Sequence, residues 1–352
     1  MHDFRVWAEE FDTAANGPIS ALPAVVVLRA RTATTTALTD ERRPDLQSSE
    51  AKGSWYDAMI SEHDRQILSQ LPVWNPTGDA VAQRRAWEEL ATVYNQDLPA
   101  IGGLEQNLEL RPGLRADIAV PKGAGRHPVV LYLHGGGWAF GSPASHRKLG
   151  MQFAEAGYLT IILDYRLAPE HPFPAALEDT MFAIGWAADN ARRWNGDGRR
   201  VAIGGDSAGG NLAVSAITSS APKLRSLVQA AVLLYGAYDL KATAERTKSL
   251  PGLQEQLGTY VSGNKDLWDD PRVSPLKAVA PGILPPCFIL GAGDDSWCLA
   301  DSLAFAQALS AVASPYELHV MEGIPHGFMQ MSTLDGCRAA MRLLWEFLAR
   351  NV

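Results

Sequence analysis

The sequence predicts an α/β fold: about eight strands in one mostly parallel sheet, with helices on both faces. Two observations carry this. From residue 128 onward, short apolar runs alternate with longer helical runs, the order that builds parallel sheets by crossover. And the stretch Gly205-Asp206-Ser207-Ala208-Gly209 sits between an apolar run, Arg200–Gly204, and an Ala-rich run, Asn211–Ile217. Strand, sharp turn and helix in that order lift a residue off the end of a sheet.

The elements follow along the chain. Residues 1 to about 50 give little signal beyond Pro23–Leu28, which reads as a strand. Two helices are expected next. Ser54 can cap the first, which carries Trp55, Tyr56, Met59, Ile60, Ile67 and Leu68 and stops at Pro72. Thr77 or Asp79 can cap the second, which carries Val81, Trp87, Leu90, Val93 and Tyr94. Their aromatic surface reads either as ordinary core packing or as a lid over a pocket. Leu108–Arg111 and Ala116–Val120 form two strands about the turn Pro112-Gly113. Then come the strand Pro128–His134, the helix Ser145–Ala156, the strand Tyr158–Leu163 and the helix Ala175–Asn190. The elbow follows, then the strand Ala230–Tyr235. About fifty residues with few strand signals interrupt the pattern. It resumes with Cys287–Leu290, the helix Leu299–Ala311, the strand Tyr316–Met321 and the helix Asp335–Arg350.

A serine hydroxyl needs a base to take its proton, and the base needs an acid to orient it. Gly-x-Ser-x-Gly at a strand–helix turn presents Ser207 as a nucleophile. Flanking glycines are required because side chains there would collide with the neighbouring strand and helix. Of the eight histidines, only His319 and His326 follow Ser207. His319 lies within a predicted strand, whereas His326 lies in the loop just beyond it and is the candidate base. The acid should follow the strand Cys287–Leu290. Asp294 and Asp295 both do, with Asp295 preferred; Asp301, on the next helix, reads as solvent-facing or a packing contact. His134-Gly135-Gly136-Gly137-Trp138 ends another strand. No Gly-Lys-Ser/Thr follows, so it is not a phosphate loop. Beside the elbow it reads as an oxyanion hole, completed by the N–H of Ala208.

These residues identify the family. The chain resembles the hormone-sensitive-lipase-like carboxylesterases of the α/β-hydrolase superfamily. The matching stretches are HGGGW at 134–138, YRLAPEHPFPAALED at 165–179, GDSAGGN at 205–211, DPRVSPL at 270–276, LPP at 284–286 and HGF at 326–328. Together they cover roughly residues 105 to 352. The resemblance implies Ser207 as nucleophile, Gly136 and Gly137 as oxyanion glycines, and His326 as base. Counting from Pro285-Pro286 places the acid at Asp295, although Ser296-Trp297 stands where the family usually has Pro-Leu. It also implies a helical cap: residues 1–105 would hold the N-terminal segment and cap helices, and residues 106–352 the catalytic domain, with a cap insertion at about 240–275. Tyr165–Glu170 is expected to brace the oxyanion strand through ion pairs, with Asp206 and Glu170 structural.

The expected function is a serine hydrolase of small carboxylic esters, working through an acyl-enzyme without metal or organic cofactor. Amide, formamide or carbamate hydrolysis would use the same triad. A receptor that kept the fold would be expected to lack His326. A neutral imidazole acts as the base, so activity should rise with pH through about 6.5.

Composition bounds the rest. A net charge of -8 with no charged block argues against nucleic-acid binding. Three scattered cysteines, 287, 298 and 337, fit a reducing compartment. Asp3, Glu9 and Glu10 replace the basic start of a signal peptide, and no apolar run could span a bilayer. A cytoplasmic location is expected, and a homodimer stays open.

Overall fold

The computed structural model describes residues 60–70 and 80–352, together with the backbone of strand β1, Val25–Ala30. Ser54, the Trp55-Tyr56 pair, Met59 and the capping choices at Thr77 and Asp79 lie outside these residues. Among the described residues, nine strands form one sheet in the order β1-β9-β8-β7-β6-β4-β5-β3-β2. The ordered chain gives β2 (Gly103–Arg111), β3 (Leu114–Val120), β4 (His127–Leu133), β5 (Leu159–Asp164), β6 (Gly196–Asp206), β7 (Val228–Leu234), β8 (Cys287–Asp294) and β9 (Tyr316–Pro325). The six strands β4 to β9 pair in parallel. β2, β3 and β1 close the two edges antiparallel. The expected α/β-hydrolase sheet is therefore present, with β1 as an added edge strand on β9.

Side-chain alternation along each strand sends one set of residues to either face. Val129, Leu131 and Leu133 of β4 join a cluster with Ile161, Ile203, Leu233 and Ile289. This face is covered by helices α4 (Ala175–Asn190), α5 (Ala208–Ser219) and α8 (Leu299–Ala311), through Ile184, Leu212 and Phe305. Val130 and Tyr132 join the opposite cluster with Ala202, Val232 and Phe288. That face packs on α3 (Arg147–Glu155) and α9 (Asp335–Asn351), through Phe153, Leu344 and Phe347. Burying two faces explains why these strands read as continuous apolar runs. Each such leucine or phenylalanine contributes about 1.5–3 kcal/mol when removed from water.

Two helical pieces lie outside the sheet and its covering helices, yet pack on the same clusters through Leu240, Leu257 and Leu68. Before the sheet lie α1 (Glu62–Gln70) and α2 (Ala80–Tyr94). Ser61 Oγ accepts the Asp64 N–H at 3.0 Å and so caps α1. The buried Asp64 carboxylate in turn accepts the Asp335 and Gly336 N–H groups at 2.6 and 3.0 Å. It thereby caps α9 from a distant part of the chain. Between β7 and β8 lie α6 (Leu240–Arg246) and α7 (Pro251–Tyr260), and no strand occurs there among the described residues. All four helices converge above the carboxyl ends of the central strands, where open parallel sheets place their sites.

Candidate active site

Ser207 follows the last residue of β6 and precedes the first of α5. Its backbone sits at φ 54, ψ -116, a conformation side chains rarely adopt. The Ser207 N–H donates to the Leu234 carbonyl at 2.8 Å, which holds the turn in place. The flanking glycines are fixed by close approach. A Cβ on Gly205 would lie 2.3 Å from the Leu133 carbonyl oxygen, and one on Gly209 only 1.9 Å from it. The helix therefore starts directly against β4, and Ser207 projects from a turn with no room to relax.

His326 lies just past β9, and its Nε2 is 2.9 Å from Ser207 Oγ. Its Nδ1 is 2.6 Å from Asp295 Oδ2. Asp295 follows β8 directly; its other oxygen accepts the N–H groups of Trp297 and Cys298 at 2.8 and 3.0 Å. Asp294 is exposed and makes no such contact with the imidazole. The structure thus brings Ser207, Asp295 and His326 together and leaves Asp294 outside. His319 is fully buried in β9, stacked on Phe288 at 4.9 Å.

Electrostatics match this arrangement. Burial alone would push the Asp295 carboxyl up. The charge and hydrogen bond of His326, with the two N–H donors, reverse this and hold it below the usual carboxylate range. Burial disfavours a charged His326, but the Asp295 charge and hydrogen bond, aided by Asp206, outweigh it. The imidazole therefore titrates above its ordinary value. Asp295, Cys298 and His326 each bring one ligand-type atom within 4.8 Å of the others. Both Asp295 oxygens are already engaged by His326 and by the Trp297 and Cys298 N–H groups, and burial pushes the Cys298 thiol up.

The glycine turn expected to form the oxyanion hole follows β4. Gly136 and Gly137 have φ of 122 and 55, which favour glycine. Both line the pocket that holds Ser207 and His326. Ala208 opens α5, so its N–H has no partner within the helix. Asp206 holds the turn from below: Oδ1 accepts the Gly135 N–H at 2.9 Å and the Tyr132 hydroxyl at 2.8 Å. His146 stands at 3.4 Å from the same carboxylate. Burial would raise Asp206, but His146 first, then Tyr132 and His134, keep it low. Burial and the neighbouring His146 push His134 down to about 3, so it stays neutral. His134 stacks on Tyr165 with centroids 4.2 Å apart, and the Tyr165 hydroxyl donates to the His134 carbonyl at 2.8 Å.

The expected bracing by Tyr165–Glu170 is therefore present, with one difference. Arg166 pairs with Asp179 at 2.9 Å, but Glu170 pairs with Arg84 of α2. Sequence reasoning missed Arg84, which has no local pattern to mark it. Asp301, read as solvent-facing or a packing contact, is the second of these: its side chain is buried. Its carboxylate accepts the Tyr238 and Asp239 N–H groups at 2.7 and 2.9 Å and meets Arg246. Asp301 thus ties the start of α6 to α8.

A family model for the α/β-hydrolase fold matches residues 130–330. That stretch contains the elbow, the oxyanion turn, Asp295 and His326. The chain belongs to the hormone-sensitive-lipase-like branch of this family. It is 34% identical over 242 residues to the carboxylic ester hydrolase LipN of Mycobacterium tuberculosis. That match covers 62% of each protein, so the chain spans a little under two thirds of that relative. The carboxylesterase NlhH of the same organism is 32% identical over 293 residues, covering 76% of this chain and 88% of NlhH. Among solved structures, a Pyrobaculum calidifontis esterase superposes with a TM-score of 0.73 at 30% identity, covering 82% of this chain and 98% of that one. No helix among the described residues is long and apolar enough to cross a membrane.

Proposed function

We infer that this hormone-sensitive-lipase-like protein is a serine hydrolase that cleaves small carboxylic esters through an acyl-enzyme. The unbroken relay from Asp295 through His326 to Ser207, at 2.6 and 2.9 Å, carries this reading. His326 takes the Ser207 proton as Oγ attacks the ester carbonyl. The oxyanion is received by the N–H groups of Gly136, Gly137 and Ala208, each worth about 3 kcal/mol to the transition state. As the tetrahedral centre collapses, the bond to the leaving oxygen breaks and His326 gives that oxygen its proton. Water, activated by the same imidazole, then releases the acid. Asp295 stays ionised throughout and stabilises the imidazolium.

The same reading makes α1, α2, α6 and α7 a cap over a catalytic domain that begins near residue 106. Trp87 and Tyr94 of α2 border the cavities at the site, in keeping with an aromatic lid. The three cysteines are buried thiols, compatible with a reducing, cytoplasmic setting. The test compares p-nitrophenyl esters with matched p-nitroanilides, alongside labelling by a fluorophosphonate. Ester turnover with stoichiometric labelling at Ser207 is expected. Preferential anilide cleavage, or no labelling, overturns the reading.

A further inference from the structure

Two cavities meet at His326. The first holds Ser207, Gly136 and Gly137, and runs inward to Leu253, Leu257 and Cys298. Its empty space, counted together with the open solvent at its mouth, is about 720 Å³. The second holds Leu68, Leu90, Tyr94, Asp294 and Met331, and its empty space, counted in the same way, is about 1170 Å³. Trp87, Trp297, His326 and Gly327 line both, and so form the wall between them.

Trp297 is the fixed part of that wall. Its N–H donates to Asp295 at 2.8 Å, and its carbonyl accepts the Arg246 guanidinium at 3.0 and 3.3 Å. Arg246 is in turn anchored on the buried Asp301. The backbone is thus pinned on both sides, and the indole lies 5.2 Å from the His326 ring. None of these backbone bonds needs an indole. The family resemblance puts leucine at this place, a side chain too small to fill the same gap.

We propose that Trp297 is a specificity-determining partition, which keeps the acyl group in the Ser207 cavity and directs the leaving alcohol into the cavity beyond His326. This rests on the esterase reading. The acyl carbon is bonded to Ser207 Oγ in the intermediate, with its oxygen toward Gly136 and Gly137. Its chain must therefore stay in the cavity that those residues line. The alcohol oxygen takes its proton from His326 Nε2 and departs with its bond to carbon broken. Its way out from Nε2 opens into the second cavity, which His326 also lines and which contains neither Gly136 nor Gly137. The acyl cavity ends against α6, α7 and Cys298, and α7 is held there by the Gln256 amide donating to Gln83 at 3.2 Å. The alcohol cavity is the larger of the two. The substrate class that follows is esters of short or medium acids with bulky, apolar alcohols.

The test measures kcat/KM on two series. One keeps p-nitrophenol as leaving group and lengthens the acyl chain from acetate to dodecanoate. The other keeps acetate and enlarges the alcohol from ethyl to naphthylmethyl. In the unaltered protein the acyl series should rise by about fourfold per methylene while chains fit, then fall at least tenfold by dodecanoate. The alcohol series should show no such fall. Trp297→Leu and Trp297→Ala should raise the dodecanoate-to-butyrate ratio at least tenfold. A fall in the alcohol series instead of the acyl series overturns the assignment. So does a variant that scales every acyl length equally, because Trp297 would then act only on His326. Fluorophosphonate labelling separates the two ideas: an unlabelled protein sinks the esterase reading, whereas a labelled one with the wrong length pattern sinks only the partition. The two series on the unaltered protein decide the cavities even where a variant fails to fold.

Discussion

Arg84 Nε donates to the Ala139 carbonyl at 2.7 Å, joining α2 to the oxyanion turn. A second nitrogen of the same guanidinium reaches the Ala168 carbonyl at 2.8 Å, and both terminal nitrogens meet Glu170. The Ala168 N–H in turn donates to the Trp138 carbonyl at 2.9 Å. One cation therefore clamps the oxyanion turn to the loop that braces it. Glu170 is pulled down to about 2 by this pairing, so the clamp is ionised at any working pH.

Arg84→Ala should therefore loosen Gly136 and Gly137 without removing them. We expect kcat to fall about tenfold or more with KM little changed, since a misplaced oxyanion donor acts mainly in the transition state. Arg84→Lys should not restore the rate, because an ammonium cannot reach two carbonyls and a carboxylate in one plane. Michaelis parameters on a short p-nitrophenyl ester check this.

The adjacent carboxylates give a sharper contrast. Asp295→Asn should lower kcat by about 10³–10⁴, as expected when a triad acid can no longer hold the imidazole and its charge. Asp294→Asn, one residue away, should change it less than tenfold. Similar losses in both variants would remove Asp295 from its role.

The pH profile tests the relay differently. Only the neutral imidazole can take the serine proton, so activity is lost as pH falls through the His326 value. That value is raised by Asp295 and Asp206 against the opposing effect of burial. The kcat/KM profile should thus have its acid limb above the value of about 6.5 expected for an ordinary imidazole base. In Asp295→Asn the limb should move to lower pH. An acid limb at or below 6.5 in the unaltered protein contradicts the raised titration.

The elbow should resist even one methyl group. Gly209→Ala places a Cβ against the β4 backbone, 1.9 Å from the Leu133 oxygen, and neither partner is a flexible side chain. A destabilisation of more than about 3 kcal/mol is expected, visible as a large fall in thermal midpoint or loss of folded protein.

Most of the fold and the centre of the site were legible in the chain because their causes are local. Strands buried on two faces must be apolar throughout, and a turn with no room for Cβ must be glycine. Gly205, Ser207, Gly209 and the glycines after His134 therefore announce themselves. His326 could be found by elimination, since its order and loop position were fixed by the sheet. The aromatic surface of α2 was only half legible: Trp87 and Tyr94 border the cavities, but helical spacing gives the same pattern for core packing.

What the folded chain alone decided are contacts between segments far apart in sequence. Asp294 and Asp295 are the same residue type at neighbouring positions, and only the turn beyond β8 determines which oxygen meets the imidazole. Asp301 looks like any acidic residue on a helix until β7 and α6 close over it. Arg84 has no motif at all, and Trp297 shows only as a departure from the family's usual Pro-Leu. The first matters because α2 lands on the oxyanion turn, the second because two cavities happen to meet at its indole. Local sterics write themselves into residue types; the mutual placement of helices and loops is set by packing over the whole sheet, and no single stretch records it.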